Sequence, residues 1–131
     1  MAVAALAAGC GSGKTVSPTP QTVEGTLPTT TQATAAKGDA VSGKKLFASN
    51  GCGGCHTFKP AGSSGKVGPD LDNLASDAKK ANKGTTEQYA TESIKDPSAY
   101  IVPGFSNAMP SFAQLSDQQV ADLVAFLTQK S

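Results

Sequence analysis

Two cysteines and the only histidine of the chain lie close together in the stretch GCGGCHTF, residues 51–58. Cys52, Cys55 and His56 form the pattern C-x-x-C-H, which is typical of the covalent attachment of a c-type haem. The two thiols lie about one turn apart, so they would reach the two vinyl groups on one edge of the macrocycle. His56 would then lie under the ring and ligate the iron, while the two intervening glycines let the backbone approach the porphyrin edge.

Two other uses of this motif are less consistent with the sequence. A dithiol redox motif would not require His56, and it usually follows a strand in a βαβ pattern that is missing here. A structural zinc site needs four ligands. The only further thiol, Cys10, is separated from the motif by a long Thr- and Pro-rich stretch. The motif therefore favours one haem c, bound through Cys52 and Cys55.

The second axial ligand of such a haem has few candidates. A second histidine is excluded, because His56 is the only one, and the two methionines are Met1 and Met109. Met109 lies in PGFSNAMPSF, where Pro110 stiffens an extended loop that could hold one side chain against a ring. A methionine in apolar surroundings is often a core residue. We predict Met109 as the sixth ligand, and the alternative is a five-coordinate or water-ligated iron.

Length and composition exclude several classes of protein. The 131 residues allow one domain, or one domain with a tail. No apolar run is long enough for a transmembrane helix. The net charge of +1 is too balanced to indicate a nucleic acid partner. The odd count of three cysteines argues against a closed disulfide framework.

The composition divides the chain into three parts. Residues 1–10 are small and apolar, and residues 11–38 are rich in Thr, Pro, Gly, Ala and Ser. The second part cannot bury enough apolar surface to offset the cost of ordering it, so we predict a disordered linker. Residues 39–131 have the pattern of a folded domain.

Helix signals dominate the folded part, which we predict to be all-α. Ser116 and Gln119 form a capping box before an apolar stripe that runs to the C-terminal end. A first helix follows Asp39 and stops at Asn50-Gly51. A third begins with the capping box of Thr85 and Gln88 and ends before Pro97, and a short helical turn is expected over 70–78. No stretch alternates convincingly, so essentially no sheet is expected.

From about Asp39 to Lys130 the chain resembles class I cytochrome c, the small single-haem electron carriers. The resemblance rests on segments that occur in the expected order: GKKLF, CGGCH, GPDL, GFSNAMPSF and LSDQQVADLVAFL. The loop arrangement is closer to short bacterial carriers, and to cytochrome domains fused to terminal oxidases, than to the mitochondrial protein. Lysines and acidic residues balance, so the basic docking face of mitochondrial carriers is not evident.

The resemblance implies a fold and further site residues. It implies three to five helices wrapped around one covalently bound haem, with the first helix crossing the last near Gly43 and Phe47 packing near Phe126. It also implies that the Pro69 carbonyl accepts a hydrogen bond from the second ring nitrogen of His56. Four aromatic residues are expected to form the walls of the haem pocket, namely Tyr89, Tyr100, Phe105 and Phe112.

The N-terminal segment predicts a membrane anchor. LAAGC, residues 6–10, resembles a bacterial lipobox, in which the cysteine is acylated and becomes the new N-terminus. Acylation of Cys10 would give a stable anchor and would explain the third thiol. The alternative is an ordinary secretory leader cut nearby. AGCGSGKT, residues 8–15, imitates a phosphate-binding loop but lacks the strand and helix that such a loop needs, so no nucleotide is expected.

These observations predict a single-electron carrier rather than an enzyme. It would be a monomer with His56 and Met109 as axial ligands, tethered outside the cytoplasmic membrane and exchanging electrons with donor and acceptor complexes. One alternative is a subunit fixed in a larger oxidase or reductase complex. Another is a peroxidase or gas-binding haem protein, although the absence of a second histidine argues against a distal acid/base residue. The lysines at 79, 80 and 83 are read as a solvated helix face.

Overall fold

The computed structural model describes residues 36–129 of the chain. This part contains four α-helices, namely α1 (Ala40–Ser49), α2 (Leu74–Ala81), α3 (Thr86–Lys95) and α4 (Asp117–Thr128). Short 3₁₀ turns cover Cys52–Gly54, Lys59–Ala61 and Leu71–Asn73. Within 36–129 no helix has the length and apolar character needed to cross a membrane. The all-α prediction is confirmed, whereas the predicted segment 1–10 and most of the predicted linker lie outside the described residues.

The helices begin at the residues whose side chains cap them. Asp39 accepts a hydrogen bond from the Ser42 backbone N–H at 2.6 Å, which satisfies one of the free donors at the start of α1. The two predicted capping boxes, Thr85–Gln88 and Ser116–Gln119, are both fully formed before α3 and α4. Gly51 follows the end of α1 in the left-handed region, with φ of 70°. Local side-chain chemistry therefore sets these helix boundaries.

A two-stranded sheet corrects the expectation of essentially no sheet. Strands β1 (Thr57–Phe58) and β2 (Ser63–Ser64) pair antiparallel, with Thr57 opposite Ser64. Gly62, with φ of 67°, lies directly before β2. Two residues are too few to show an alternating pattern, so sequence periodicity could not indicate this hairpin.

The crossing of α1 over α4 forms the centre of the core. A side chain at Gly43 would collide with the backbone carbonyl of Asp122, so glycine permits the close approach of the two helices. Phe47, Phe58 and Phe126 then pack together, with ring centroids 5.2–5.8 Å apart. Such tilted and edge-on pairs stabilise a core beyond their buried area. The contacts expected for Gly43 and for Phe47 with Phe126 are present.

The residues just before α1 are held to α4 by polar contacts. The Asp39 backbone N–H donates to the buried Asp122 carboxylate at 2.8 Å. Gln118 donates from Nε2 to the same carboxylate oxygen at 2.8 Å and to the Lys37 carbonyl at 3.3 Å. The buried carboxylate is therefore hydrogen-bonded, as a buried charge must be.

Gly38 lies against one face of α4, and the cavity described below lies against the opposite face. A side chain at Gly38 would meet the Ala121 backbone and the Ala125 side chain. Leu123 and Leu127, which line the cavity, follow these alanines by two residues. At 3.6 residues per turn, a step of two residues is about 200° around a helix. Helix α4 therefore lies between Gly38 and the cavity.

Candidate functional site

A large, mostly apolar cavity opens beside the C-x-x-C-H motif. Its space free of protein atoms is about 1340 Å³, part of it open to solvent. The end of α1, the turn at 52–56, the segment 67–71, helix α3, the loop 97–112 and α4 all contribute to its lining. Cavities of this kind, with few polar groups among apolar walls, are the usual form of a cofactor site.

Cys52 and Cys55 lie at the edge of the cavity on one tight turn. The Cys55 and His56 backbone N–H groups both donate to the Cys52 carbonyl, at 3.2 and 3.0 Å. The two thiols are free rather than joined in a disulfide, with Cys52 half-buried and Cys55 exposed. Burial raises the pKa of the Cys52 thiol. Both thiols line the cavity, as attachment to one edge of a macrocycle requires.

His56 is buried in the cavity wall with its ring orientation fixed. Its Nδ1 lies 2.7 Å from the Pro69 carbonyl oxygen. Because a carbonyl can only accept, Nδ1 carries the proton and the lone pair belongs to Nε2. A hydrogen bond of this kind is the usual orienting partner of a ligating histidine. The predicted pair of His56 and Pro69 is therefore brought together in a form suited to binding a metal through Nε2.

Two glycines that the sequence did not single out for a role hold the backbone around His56. A side chain at Gly68 would collide with the imidazole ring itself, and one at Gly65 would lie 2.5 Å from the Cys55 carbonyl carbon. The Gly68 N–H donates to the Cys55 carbonyl at 2.8 Å. Both glycines are visible in the sequence SSGKVG, residues 63–68, but their role depends on the way this loop folds back onto the C-x-x-C-H motif.

Two hydroxyl groups complete this side of the site. Ser63 donates from Oγ to the His56 carbonyl at 2.9 Å, and Thr57 donates from Oγ1 to the Gly65 carbonyl at 2.8 Å. Sequence reasoning missed both, because single hydroxyl residues in a loop carry no pattern of their own. The backbone that carries His56 is thus fixed at several points.

Met109 lines the same cavity as His56 and is half-buried. The loop after it is attached to the end of α3. The Phe112 N–H donates to the Ile94 carbonyl at 2.9 Å, and Ser111 donates from Oγ to the Lys95 carbonyl at 2.5 Å. These contacts hold the chain two and three residues beyond Met109.

The four predicted aromatic residues all line the cavity. Tyr89 is buried, and its ring lies edge-on to Tyr100 with centroids 6.0 Å apart. Burial, followed by the nearby Asp77 carboxylate, raises the pKa of Tyr89. The phenol therefore stays neutral, and the Tyr89 ring lines the cavity wall as the rings of Phe105 and Phe112 do.

The residues present fit a covalently bound haem. The cavity brings together two thiols on one turn, a histidine whose Nε2 lone pair is free, and aromatic walls. These features define a mostly helical haem-binding protein. The family model for cytochrome c matches residues 40–131, so the chain belongs to the cytochrome c family. Its cofactor is haem c, joined to the protein through Cys52 and Cys55, and the family is one of electron carriers.

The lysines at 79, 80 and 83 are partly engaged in ion pairs. Lys80 pairs with Asp77 at 3.4 Å, and Lys83 pairs with Glu92 at 2.9 Å, so two of the three clustered lysines are engaged within the domain. Cys10 and residues 8–15, whose sequence imitates a phosphate-binding loop, lie outside the described residues. The anchor stays a prediction.

Proposed function

We propose that the protein is a single-electron carrier in which His56 and Met109 are the two axial ligands of haem c. The observation that carries this is the fixed orientation of His56, whose Nε2 is left free while Met109 lines the same cavity. His56 is the only histidine of the chain, and the only other methionine is Met1. The ligand pair is therefore drawn from very few candidates.

When bound, the haem supplies an iron that changes between two oxidation states by one electron. The protein's part is to keep the iron's surroundings the same in both states. Pro69 holds the His56 ring and its tautomer, and the apolar walls would pack against the bound ring. A thioether ligand and a buried ring both favour the reduced form and so raise the potential. No catalytic acid or base is part of the proposal, because moving an electron breaks no bond in the protein.

An optical and electrochemical measurement on Met109→Ala tests the ligand pair. In the haem-loaded protein we expect sharp absorption bands in the reduced form and a weak far-red band of the sulfur–ferric iron bond in the oxidised form. Carbon monoxide should not change the spectrum of the reduced form. Met109→Ala should lose the far-red band, bind carbon monoxide and have a lower reduction potential. Phe112→Leu, which changes another cavity side chain and no sulfur, should keep the band. An unchanged spectrum and potential in Met109→Ala would contradict the assignment.

We further propose that the carrier works outside the cytoplasmic membrane, where domains of this family usually act, tethered through an acylated Cys10. The support is the lipobox-like LAAGC and the linker composition that follows it. Donor and acceptor complexes in the membrane would be its partners. Mass spectrometry of the N-terminal peptide should find the acyl groups, and Cys10→Ser should move the protein from the membrane fraction to the soluble fraction. A soluble wild-type protein would contradict the tether.

A further inference from the structure

We propose that Lys83 is a positioning residue for Met109, because its ammonium group ties helix α3 to the start of the loop that carries Met109. This role rests on the proposed function, in which Met109 is an axial ligand of the iron. Lys83 does not line the cavity, so it would act on the ligand only through the loop.

The Lys83 side chain makes two polar contacts at once. Its Nζ donates to the Glu92 carboxylate at 2.9 Å and to the Ala99 backbone carbonyl at 3.3 Å. Glu92 lies within α3, whereas Ala99 lies four residues beyond the end of this helix at Lys95. An ammonium group has three N–H donors, so it can serve both oxygens together. One side chain therefore joins the helix to the chain that leaves it.

The backbone on both sides of Lys83 is held in a tight turn between α2 and α3. Asn82 and Gly84 are both in the left-handed region, with φ of 52° and 85°. The next residue, Thr85, begins the capping box of α3. The base of the lysine side chain is therefore fixed by the turn, and only the side-chain torsions remain to be ordered when Lys83 makes its contacts.

The pair of Lys83 and Glu92 is partly shielded from solvent. The two side chains are 32% and 37% exposed, whereas the lysine of the Lys80–Asp77 pair is 72% exposed. Partly buried charges are screened less by salt than exposed ones, and exposed pairs contribute little. Glu92 thus holds the ammonium group where a second N–H reaches the loop, and a hydrogen bond from a charged donor is among the stronger ones.

The start of the loop has few other connections to the domain. Tyr100 follows Ala99 and packs edge-on against Tyr89. Over 101–110 the backbone hydrogen bonds join residues two or three positions apart, so they do not tie this stretch to another element. Met109 lies in this stretch and relies on the attachments at its two ends.

The far end of the loop returns to the same helix. Ser111 donates from Oγ to the Lys95 carbonyl, and the Phe112 N–H donates to the Ile94 carbonyl. Both ends are thus fixed at the second half of α3. Releasing one end gives the displaced loop more conformational freedom, which lowers the free energy of moving Met109 away from the iron. Loss of the Lys83 contact should therefore make Met109 easier to displace.

Titration of the ferric, haem-loaded full chain with imidazole measures this effect. Imidazole competes with Met109 for the iron, and its binding abolishes the far-red band of the sulfur–ferric iron bond. Lys83→Leu removes the ammonium group without adding a new ligand, and it should bind imidazole about fivefold more tightly than the parent. Lys83→Arg keeps the charge and the N–H donors, so it should stay within about twofold of the parent.

Two controls separate positioning from loss of charge and from loss of stability. Lys79→Leu removes the same charge from the last turn of α2, where the side chain is exposed. Asp39→Ala removes the cap of α1 and so lowers the free energy of unfolding at a site away from the loop. Both controls should bind imidazole within about twofold of the parent.

Three results would overturn the role of Lys83. These are no gain in imidazole affinity in Lys83→Leu, an equal gain in either control, and a gain in Lys83→Arg as large as in Lys83→Leu. Each of them leaves the far-red band of the parent in place, so the proposed ligation by His56 and Met109 would stand. Failure of that ligation is read separately, as a parent spectrum that lacks the band before any imidazole is added.

Discussion

The side of the cavity that carries His56 and the side that carries Met109 are held in different ways. Around His56, hydrogen bonds join the motif to the loop 63–69 at several points, and Gly68 packs against the imidazole ring. Between Ile101 and Pro110, the backbone hydrogen bonds are local turns, such as Phe105 N–H to the Val102 carbonyl at 3.1 Å. The loop beside His56 is bonded to the motif at several points. The loop that carries Met109 is bonded to the rest of the domain near its two ends, where Lys83 donates from Nζ to the Ala99 carbonyl and the Phe112 N–H donates to the Ile94 carbonyl.

This difference has a consequence for which ligand is easier to displace. A ligand held by many contacts keeps its position when one contact is lost, whereas a loop whose middle makes only local turns opens at a lower free energy than the rest of the domain. We therefore expect His56 to be insensitive to single losses and Met109 to be sensitive. The predictions below test that contrast, beginning with the largest effect.

The largest effect is expected from filling the space beside the His56 ring. In Gly68→Ala the new methyl group would collide with the imidazole and displace it from the Pro69 carbonyl. Overpacking of this kind costs about 1–3 kcal/mol of unfolding free energy. The measurement is denaturant unfolding of the haem-loaded protein, followed in the visible spectrum.

Gly54→Ala is the matched control for this change. A side chain at Gly54 would meet no atom within 4 Å, although this glycine lies inside the C-x-x-C-H motif. Its unfolding free energy should stay within about 0.5 kcal/mol of the wild type. Equal losses in the two variants would show that the loop 65–69 is not what positions His56.

A smaller effect should separate the two sides most clearly. Ser111→Ala and Ser63→Ala each remove one hydroxyl that donates to a backbone carbonyl. Ser111 lies two residues after Met109 and donates to the Lys95 carbonyl, whereas Ser63 donates to the His56 carbonyl. Each should lower the unfolding free energy by about 1 kcal/mol. Only Ser111→Ala should also bind exogenous imidazole more tightly, by about fivefold, because Met109 would be displaced more easily.

Spectroscopic titration with imidazole measures this pair of variants. If Ser63→Ala gained affinity as much as Ser111→Ala, the proposed contrast between the two sides would fail. If neither gained affinity while both lost stability, the contact of Ser111 with the end of α3 would support the fold without controlling Met109.

The smallest effect concerns the ion pair beyond the Met109 loop. Lys95 donates to Asp117 at 2.5 Å and lowers the pKa of that carboxyl from its ordinary value of 3.8. A lowered carboxyl pKa contributes stability above pH 3.8, and this contribution is lost as the pH falls through the folded-state pKa. The urea midpoint of Asp117→Asn should therefore lie slightly below that of the wild type at pH 7 and merge with it in acid.

Lys95→Met is the control background for the ion pair. In the Lys95→Met background, Asp117→Asn should have no further effect. High salt should reduce the effect in the wild-type background, because the Asp117 side chain is exposed to solvent. A midpoint difference that stayed constant with pH would show that the carboxylate acts through something other than this pair.

The sequence predicted those parts of the molecule whose chemistry is local. The capping boxes at Thr85 and Ser116 bond within one turn, and each predicted its helix start. The motif of Cys52, Cys55 and His56 predicted haem c, because three neighbouring residues are enough to define the attachment. The role of Pro69 was predicted from the resemblance to class I cytochrome c. Its hydrogen bond to His56 joins the two ends of an irregular loop, and sequence periodicity carries no information about such a contact.

The remaining features depend on contacts between residues far apart in the chain. Gly68 matters because its loop returns to the His56 ring, and Ser111 matters because its hydroxyl reaches the end of α3. The two-residue strands arise from the same return of the chain and are too short to leave a pattern. Nothing in the local composition of these residues indicates their partners.

The attachment of Gly38 to α4 has a practical consequence for using the protein on a surface. Helix α4 lies between Gly38 and the cavity, so a protein immobilised through a cysteine introduced at Lys37, the exposed neighbour of Gly38, would be attached on the side away from the mouth of the cavity. A film made in this way would present the mouth of the cavity to the solution. Attachment through a cysteine introduced at Ser106, an exposed residue that lines the cavity, would instead turn the mouth of the cavity toward the support. The two films should differ in how readily dissolved redox proteins exchange electrons with them.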